Sequence, residues 1–243
     1  MDKTNKVIKI GIAAVILSLI ITVIWLLILK YDVEGETNAP FKISKLMTIS
    51  SAEGVDKKEP TAKWDLQIDQ NNDIYIYIEK NEEYKGKDAI QSVRLENFNI
   101  LEQPQIGQVK QYRPSNVNGI LYKNKEEYEI TENLEYTGDL EENIENLKIG
   151  NQGGVIYLRT SLTNIGEYKS DDQEQIKHDG TIIKNTKAQY EQIQYKIQFD
   201  MIINLESEKS YKTTIQIDLP TGNVIEEGTT NKEETENIIL KRI

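Results

Sequence analysis

The sequence predicts an all-β fold, an antiparallel sandwich-like domain preceded by one N-terminal transmembrane helix. Three observations carry this. Residues 10–29 contain no charged side chain. From Phe41 onward, apolar residues recur mainly at every second position, the spacing of strands buried on one face. The three-and-four spacing of a helix appears after the anchor in one segment only, at 139–150.

The anchor reads IGIAAVILSLIITVIWLLIL from Ile10 to Leu29, with Ser18 and Thr22 as its only polar members. As a helix it reaches about 30 Å, the thickness of a bilayer core. The two hydroxyls can bond to carbonyls one turn back, so they cost little in lipid. A helix of a water-soluble core would keep a polar face, and this segment has none. Trp25 and Tyr31 lie toward its far end, where amphipathic rings favour the membrane interface. Lys3, Lys6 and Lys9 precede it, whereas Lys30 is followed by Asp32, Glu34 and Glu36. Positive flanks stay cytoplasmic, so the short N-terminus is expected inside and the bulk of the chain outside.

A cleaved signal peptide would have a shorter apolar region, about 7–15 residues, ending in a small-x-small site. Val33-Glu34-Gly35 and Thr37-Asn38-Ala39, the latter followed by Pro40, match such a site poorly. With no Cys there is no lipoprotein anchor either. The expected division is a cytoplasmic segment 1–9, an uncleaved signal-anchor 10–30, a polar linker 31–40 and one extracytoplasmic β domain 41–243.

The whole chain carries −11, and residues 1–30 hold four Lys against one Asp, so the remainder carries −14. A domain this acidic does not gather nucleic acid or anionic lipid by bulk attraction. The absence of Cys removes disulfides, thiol catalysis, thiolate metal sites and iron–sulfur clusters together. About 200 residues bury a core without such staples. The chain is rich in Ile, Asn, Lys and Glu, and no Asn lies in an Asn-x-Ser/Thr sequon. Both features point to a bacterial cell envelope.

Alternation is clearest at 193–205, where Ile193, Tyr195, Ile197, Phe199, Met201, Ile203 and Leu205 share one face. It resumes with Tyr211, Thr213, Ile215, Ile217 and Leu219 after the polar residues 206–210, which reads as an antiparallel hairpin. Thirteen residues from Ile193 to Leu205 exceed the usual strand of about 3–10, so a bend or bulge is expected in the first arm. Pro220-Thr221-Gly222 makes a turn. A second hairpin is expected from Trp64, Leu66 and Ile68 to Ile74, Ile76 and Ile78, turning at Asp69-Gln70-Asn71-Asn72-Asp73. Tyr75 and Tyr77 occupy the opposite face of its second arm. Val93 and Leu95 are out of phase with Phe98 and Ile100, which places a bulge near Asn97. Further strands are expected at 41–49, 106–112, 119–122, 154–163, 181–185 and 236–243. One helix is expected between an Asp139 cap and Gly150, lined by Leu140, Ile144 and Leu147, so the domain carries at most one or two short helices.

Residue types for chemistry are sparse. The single His178 lies in the polar loop 170–180, with nothing beside it to form a nucleophile–imidazole pair. One His and no Cys make a zinc site improbable. Asp69-x-Asn71-x-Asp73 matches the opening of a calcium loop, where alternate side chains place oxygens on one ion. The match then lapses, because Ile74 stands where Gly is needed and Lys80 where Glu is needed. The same residue types serve a tight turn, so no metal or other cofactor is expected. With 40 Asp and Glu, no carboxylate pair stands out as a glycosidase pair. Gly150-Asn151-Gln152-Gly153-Gly154 lacks the Lys of a phosphate loop and reads as a turn.

The layout of an apolar N-terminal helix before a β-rich head resembles that of type IV pilins, over the first thirty residues. The resemblance implies a Gly before the processed helix and a Glu near the mature start. Gly11 is available, but no acidic residue lies between it and Leu29. The expectation is therefore a non-enzymatic module for binding or assembly in a cell envelope. It would contact the bilayer through residues 10–29 and a protein partner through strand edges or the face of Tyr75 and Tyr77. The alternatives are an envelope enzyme acting through carboxylates on cell-wall glycan or peptide, and a minor pilin-like subunit.

Overall fold

The computed structural model describes residues 2–37, 39–57, 64–114, 133–138, 147–169, 177, 179–235 and 238–243. A helix, α1 (Asp2–Thr37), opens the chain. Its stretch Lys9–Leu29 is long and apolar enough to cross a membrane, and none of its surface is buried in the protein. Thr22 donates its hydroxyl to the carbonyl of Ser18 at 2.9 Å, one turn back, so that polar group is satisfied within the helix. The helix also takes up most of the polar stretch 31–40.

Eleven strands follow: β1 (Phe41–Asp56), β2 (Asp65–Lys80), β3 (Ile90–Glu102), β4 (Gln108–Tyr112), β5 (Leu134–Gly138), β6 (Leu147–Ile149), β7 (Gly153–Lys169), β8 (Tyr195–Leu205), β9 (Ser210–Leu219), β10 (Thr230–Glu234) and β11 (Lys241–Arg242). They form two sheets, ordered β10-β1-β2-β7-β4 and β11-β9-β8-β3-β5-β6. All pairings are antiparallel except β5–β6. One core cluster draws on both sheets, from Leu46, Ile74, Ile76, Ile156 and Leu158 in the first to Val93, Leu95, Ile197, Phe199 and Ile203 in the second. The fold class is the expected one.

The long hairpin stands as predicted. Tyr195 pairs with Leu219 and Asn204 with Ser210, with no register shift between β8 and β9. The odd residues Tyr195 to Leu205 are buried and the even ones between them are more polar, apart from buried Ile202. The expected bend within the first arm is not there. Ile193 belongs to a short helix, α2 (Tyr190–Ile193), which shortens the strand, and the irregularities fall in β3 opposite. One of them lies between Glu96 and Asn99, where Asn97 adopts φ 55°, so the bulge read near Asn97 is present.

The second expected hairpin is a misreading. Residues 69–73 do not turn; they run through the middle of the single strand β2. β1 pairs along one side of them and β7 along the other, with Ser50 opposite Asn72 and Asp73 opposite Arg159. Turn-forming side chains stay extended here because neighbouring strands supply their hydrogen-bond partners.

Segment 181–185 is likewise not a strand but part of a 3-10 helix, Gly180–Thr186. Asp179 caps it by accepting from the Thr181 amide at 2.9 Å, and the adjacent Ile182 and Ile183 are both buried. A Cβ on Gly180 would meet the Val224 carbonyl at 2.0 Å, so this start needs glycine. Val224 opens a third short helix, α3 (Val224–Glu227). Leu147, read as helical, starts β6, which lies parallel to β5. The remainder of that expected helix, 139–146, and the candidate strand 119–122 fall outside the described residues. Of the expected strand 236–243, residues 236–237 fall outside the described residues, and among the others Lys241–Arg242 forms strand. Strands 41–49 and 154–163 are present within β1 and β7, and the strand expected at 106–112 is the shorter β4. Gly150–Gly154 turns into β7, with the Gly153 amide bonded to the Gly150 carbonyl at 3.0 Å.

Candidate partner-binding face

The five-stranded sheet presents two faces. Even-numbered residues of β2 point into the sandwich and odd-numbered ones away from it. Tyr75 and Tyr77 therefore stand on the outer face, half-buried, behind the fully buried Ile74, Ile76 and Ile78. Register assembles their neighbours. Met47 of β1 and Tyr157 of β7 flank Tyr75, while Lys45 and Val155 flank Tyr77. The rings of Tyr75 and Tyr157 stack with centroids 6.1 Å apart and planes 25° from parallel. The Lys45 ammonium lies 4.3 Å from the Tyr77 ring centroid, a cation–π contact, and 3.5 Å from Glu233 on β10. The next row holds Ile49, Asp73 and Arg159.

Burial raises the Tyr75 hydroxyl above its ordinary pKa, with the Asp73 carboxylate adding to the effect, and burial raises that of Tyr157. Both remain neutral phenols with donors to offer. The sequence alone singled out Tyr75 and Tyr77. It missed Tyr157, Met47 and Lys45 because neighbours across a sheet are set by register. The alternation of Val155, Tyr157 and Arg159 was the available signal.

The calcium candidates Asp69, Asn71 and Asp73 share this outer face, but each is engaged by β7. Arg159 holds Asp73 in a bidentate pair at 2.7 and 2.8 Å. The Ser161 hydroxyl donates to Asn71 at 2.6 Å, and the Asn164 amide donates to Asp69 at 3.1 Å. Alternate side chains of an extended strand also diverge too far to close around one ion: three of them span about 13 Å at strand rise. Among the described residues, no cluster of His, Asp or Glu could hold a metal.

The inner face carries an unexpected polar cluster. Gln70 and Asn72 are fully buried between the sheets. Asn72 donates to the Tyr195 hydroxyl of β8 at 2.7 Å and to Gln70 at 3.0 Å, and accepts from Ser50 at 2.6 Å. Thr160 lies 3.0 Å from the Tyr195 oxygen, and Ser50 also accepts from the Thr221 amide at 2.9 Å. Burial pushes the Tyr195 phenol far up, against the pull of Thr160 and Asn72. The cluster joins the two sheets through satisfied neutral groups and holds no acid or base for catalysis.

Elsewhere, Tyr84 donates to Asp88 beside Lys209 near the tip of the β8–β9 hairpin. The Lys209 ammonium is held above its usual pKa, because its partners outweigh desolvation. A protonated lysine of that kind is not a nucleophile. His178 lies outside the described residues. No protein family, curated protein or solved structure matches this chain.

Proposed function

We propose that this protein is a membrane-anchored binding module of a bacterial cell envelope. Its N-terminus is cytoplasmic, its β domain is extracytoplasmic, and the domain engages a protein partner through the outer face of the five-stranded sheet. The observation that carries the reading is the aromatic row on that face. Tyr75 and Tyr157 stack, Tyr77 lies under Lys45, and Val155 is 40% exposed beside them. Tyrosines fixed on a rigid sheet lose little entropy on contact and combine apolar area with a donor, which is why they anchor interfaces. The anchor rests on Lys9–Leu29, and the orientation on Lys3, Lys6 and Lys9 against Asp32, Glu34 and Glu36.

The test is affinity capture with the full chain solubilised from the envelope in detergent, using the parental protein and a Tyr75→Ser, Tyr77→Ser double variant. The reading expects a partner retained by the parent and lost from the variant, with little change in melting temperature. Retention by both proteins, or loss of activity on neutralising a single Asp or Glu in a folded chain, would overturn it.

A further inference from the structure

We infer that two copies of this chain associate edge to edge through β9, joining their six-stranded sheets into one continuous sheet. This rests on the edge of the second sheet and is independent of the tyrosine face.

Among the described residues, β9 is paired on its outer side only at one end, where Lys241 and Arg242 of β11 lie opposite Lys212 and Tyr211. Backbone groups alternate sides along a strand, and one bond fixes which residues face outward. The Ile243 amide donates to the Ser210 carbonyl at 3.0 Å, whereas the Lys209 carbonyl accepts from Leu205 of β8 at 2.9 Å. Even-numbered residues of β9 thus turn their N–H and C=O away from β8. Among the described residues, no backbone bond reaches those of Thr214, Gln216 or Asp218, and all three side chains are exposed. The open stretch is Thr213–Leu219, bounded by β11 at one end and by Pro220, which has no N–H to give, at the other.

Open edges are normally blunted by charge, proline or brevity. β10, one edge of the other sheet, follows that rule, being short and reading Thr-Asn-Lys-Glu-Glu. The open part of β9 reads Thr-Thr-Ile-Gln-Ile-Asp-Leu, with one charge and a strong strand composition.

The occupant that fits is β9 of a second copy, antiparallel, with the twofold at Gln216. Outward residues then face outward residues, as an antiparallel hydrogen-bonded pair requires: Thr214 opposite Asp218 of the other copy, and Gln216 opposite Gln216. No like charges oppose, a hydroxyl meets a carboxylate and an amide meets an amide. The same operation on β10 would set Lys232 against Lys232. β11 and Pro220 limit the paired stretch to this register at both ends, and an anchor in a shared membrane would raise the local concentration of the matching edge.

Because the chain has no Cys, single cysteines report the register directly. Full-length Gln216→Cys, oxidised in its membrane, is expected to form a disulfide-linked dimer. Thr214→Cys and Asp218→Cys should each stay monomeric alone and cross-link when mixed, and Asn231→Cys on β10 should not cross-link. Gln216→Lys should lose the dimer with its melting temperature unchanged, and co-expression with Gln216→Glu should restore it. A Gln216→Cys protein that remains monomeric, or cross-linking as strong at Asn231→Cys, would overturn the inference.

Discussion

Asn72 shows what one buried polar side chain can do in a sandwich. It sits in β2 facing Tyr195 across the core, and every hydrogen bond it makes is to a group as buried as itself. Tyr195→Phe keeps the ring and removes the oxygen, which leaves the Asn72 donor without its partner. Chemical denaturation should register a loss of about 1–3 kcal/mol, the cost of stranding a buried polar group. Asp200, on the outer face of the second sheet, behaves differently because it is charged. Burial pushes its carboxyl up, but bonds from Thr214 at 2.6 Å, Lys212 at 2.9 Å and Asn97 at 2.8 Å outweigh this and hold it below the ordinary carboxylate range. A carboxyl depressed in the folded state contributes stability above its unfolded pKa, near 4, and loses it as pH falls through the folded value. Asp200→Asn should therefore be less stable than the parent by about 1 kcal/mol at pH 7, and the gap in urea midpoints should close toward pH 3.

Strands were legible where one face met water and obscure where both faces were covered. β8 and β9 alternate because one side of each packs on the core while the other carries Lys196, Gln198, Thr214 and Gln216. Phe199 is fully buried with its ring 5.1 Å from that of Phe98. Phe199→Asp should cost several kcal/mol, while Gln198→Asp should stay within about 0.5 kcal/mol; equal effects would mean the faces are assigned wrongly. β2 broke the alternation rule at 69–72, where polar side chains on both faces are buried. There Asp69, Asn71 and Asp73 bond sideways to β7, while Gln70 and Asn72 bond inward. Local sequence could not distinguish these partners from the self-bonding of a turn, since both satisfy the same side-chain groups. With those oxygens already engaged, the melting temperature should be the same in EDTA and in millimolar calcium. A calcium-dependent rise abolished by Asp69→Ala would restore the loop motif.

At the scale of the molecule, sequence gives the long apolar helix and the two-sheet class most directly, and gives the candidate face least. A run of uncharged residues is a one-dimensional signal, whereas the tyrosine row exists only once β1, β2 and β7 are in register. The same dependence governs the β9 edge, whose openness follows from where β11 stops and Pro220 begins. Orientation across a membrane, by contrast, depends on charges at the two ends of α1, and it can be tested without reference to the β domain. The Cys-free chain accepts Asn5→Cys before the apolar stretch and Asn231→Cys on β10. If the proposed orientation holds, with Lys3, Lys6 and Lys9 keeping the N-terminus inside, a membrane-impermeant maleimide should label Asn231→Cys in intact cells and spare Asn5→Cys until the cells are opened. The opposite pattern would place the acidic domain in the cytoplasm. It would remove the envelope from the proposed function while leaving the tyrosine face and the β9 edge to be judged by their own experiments.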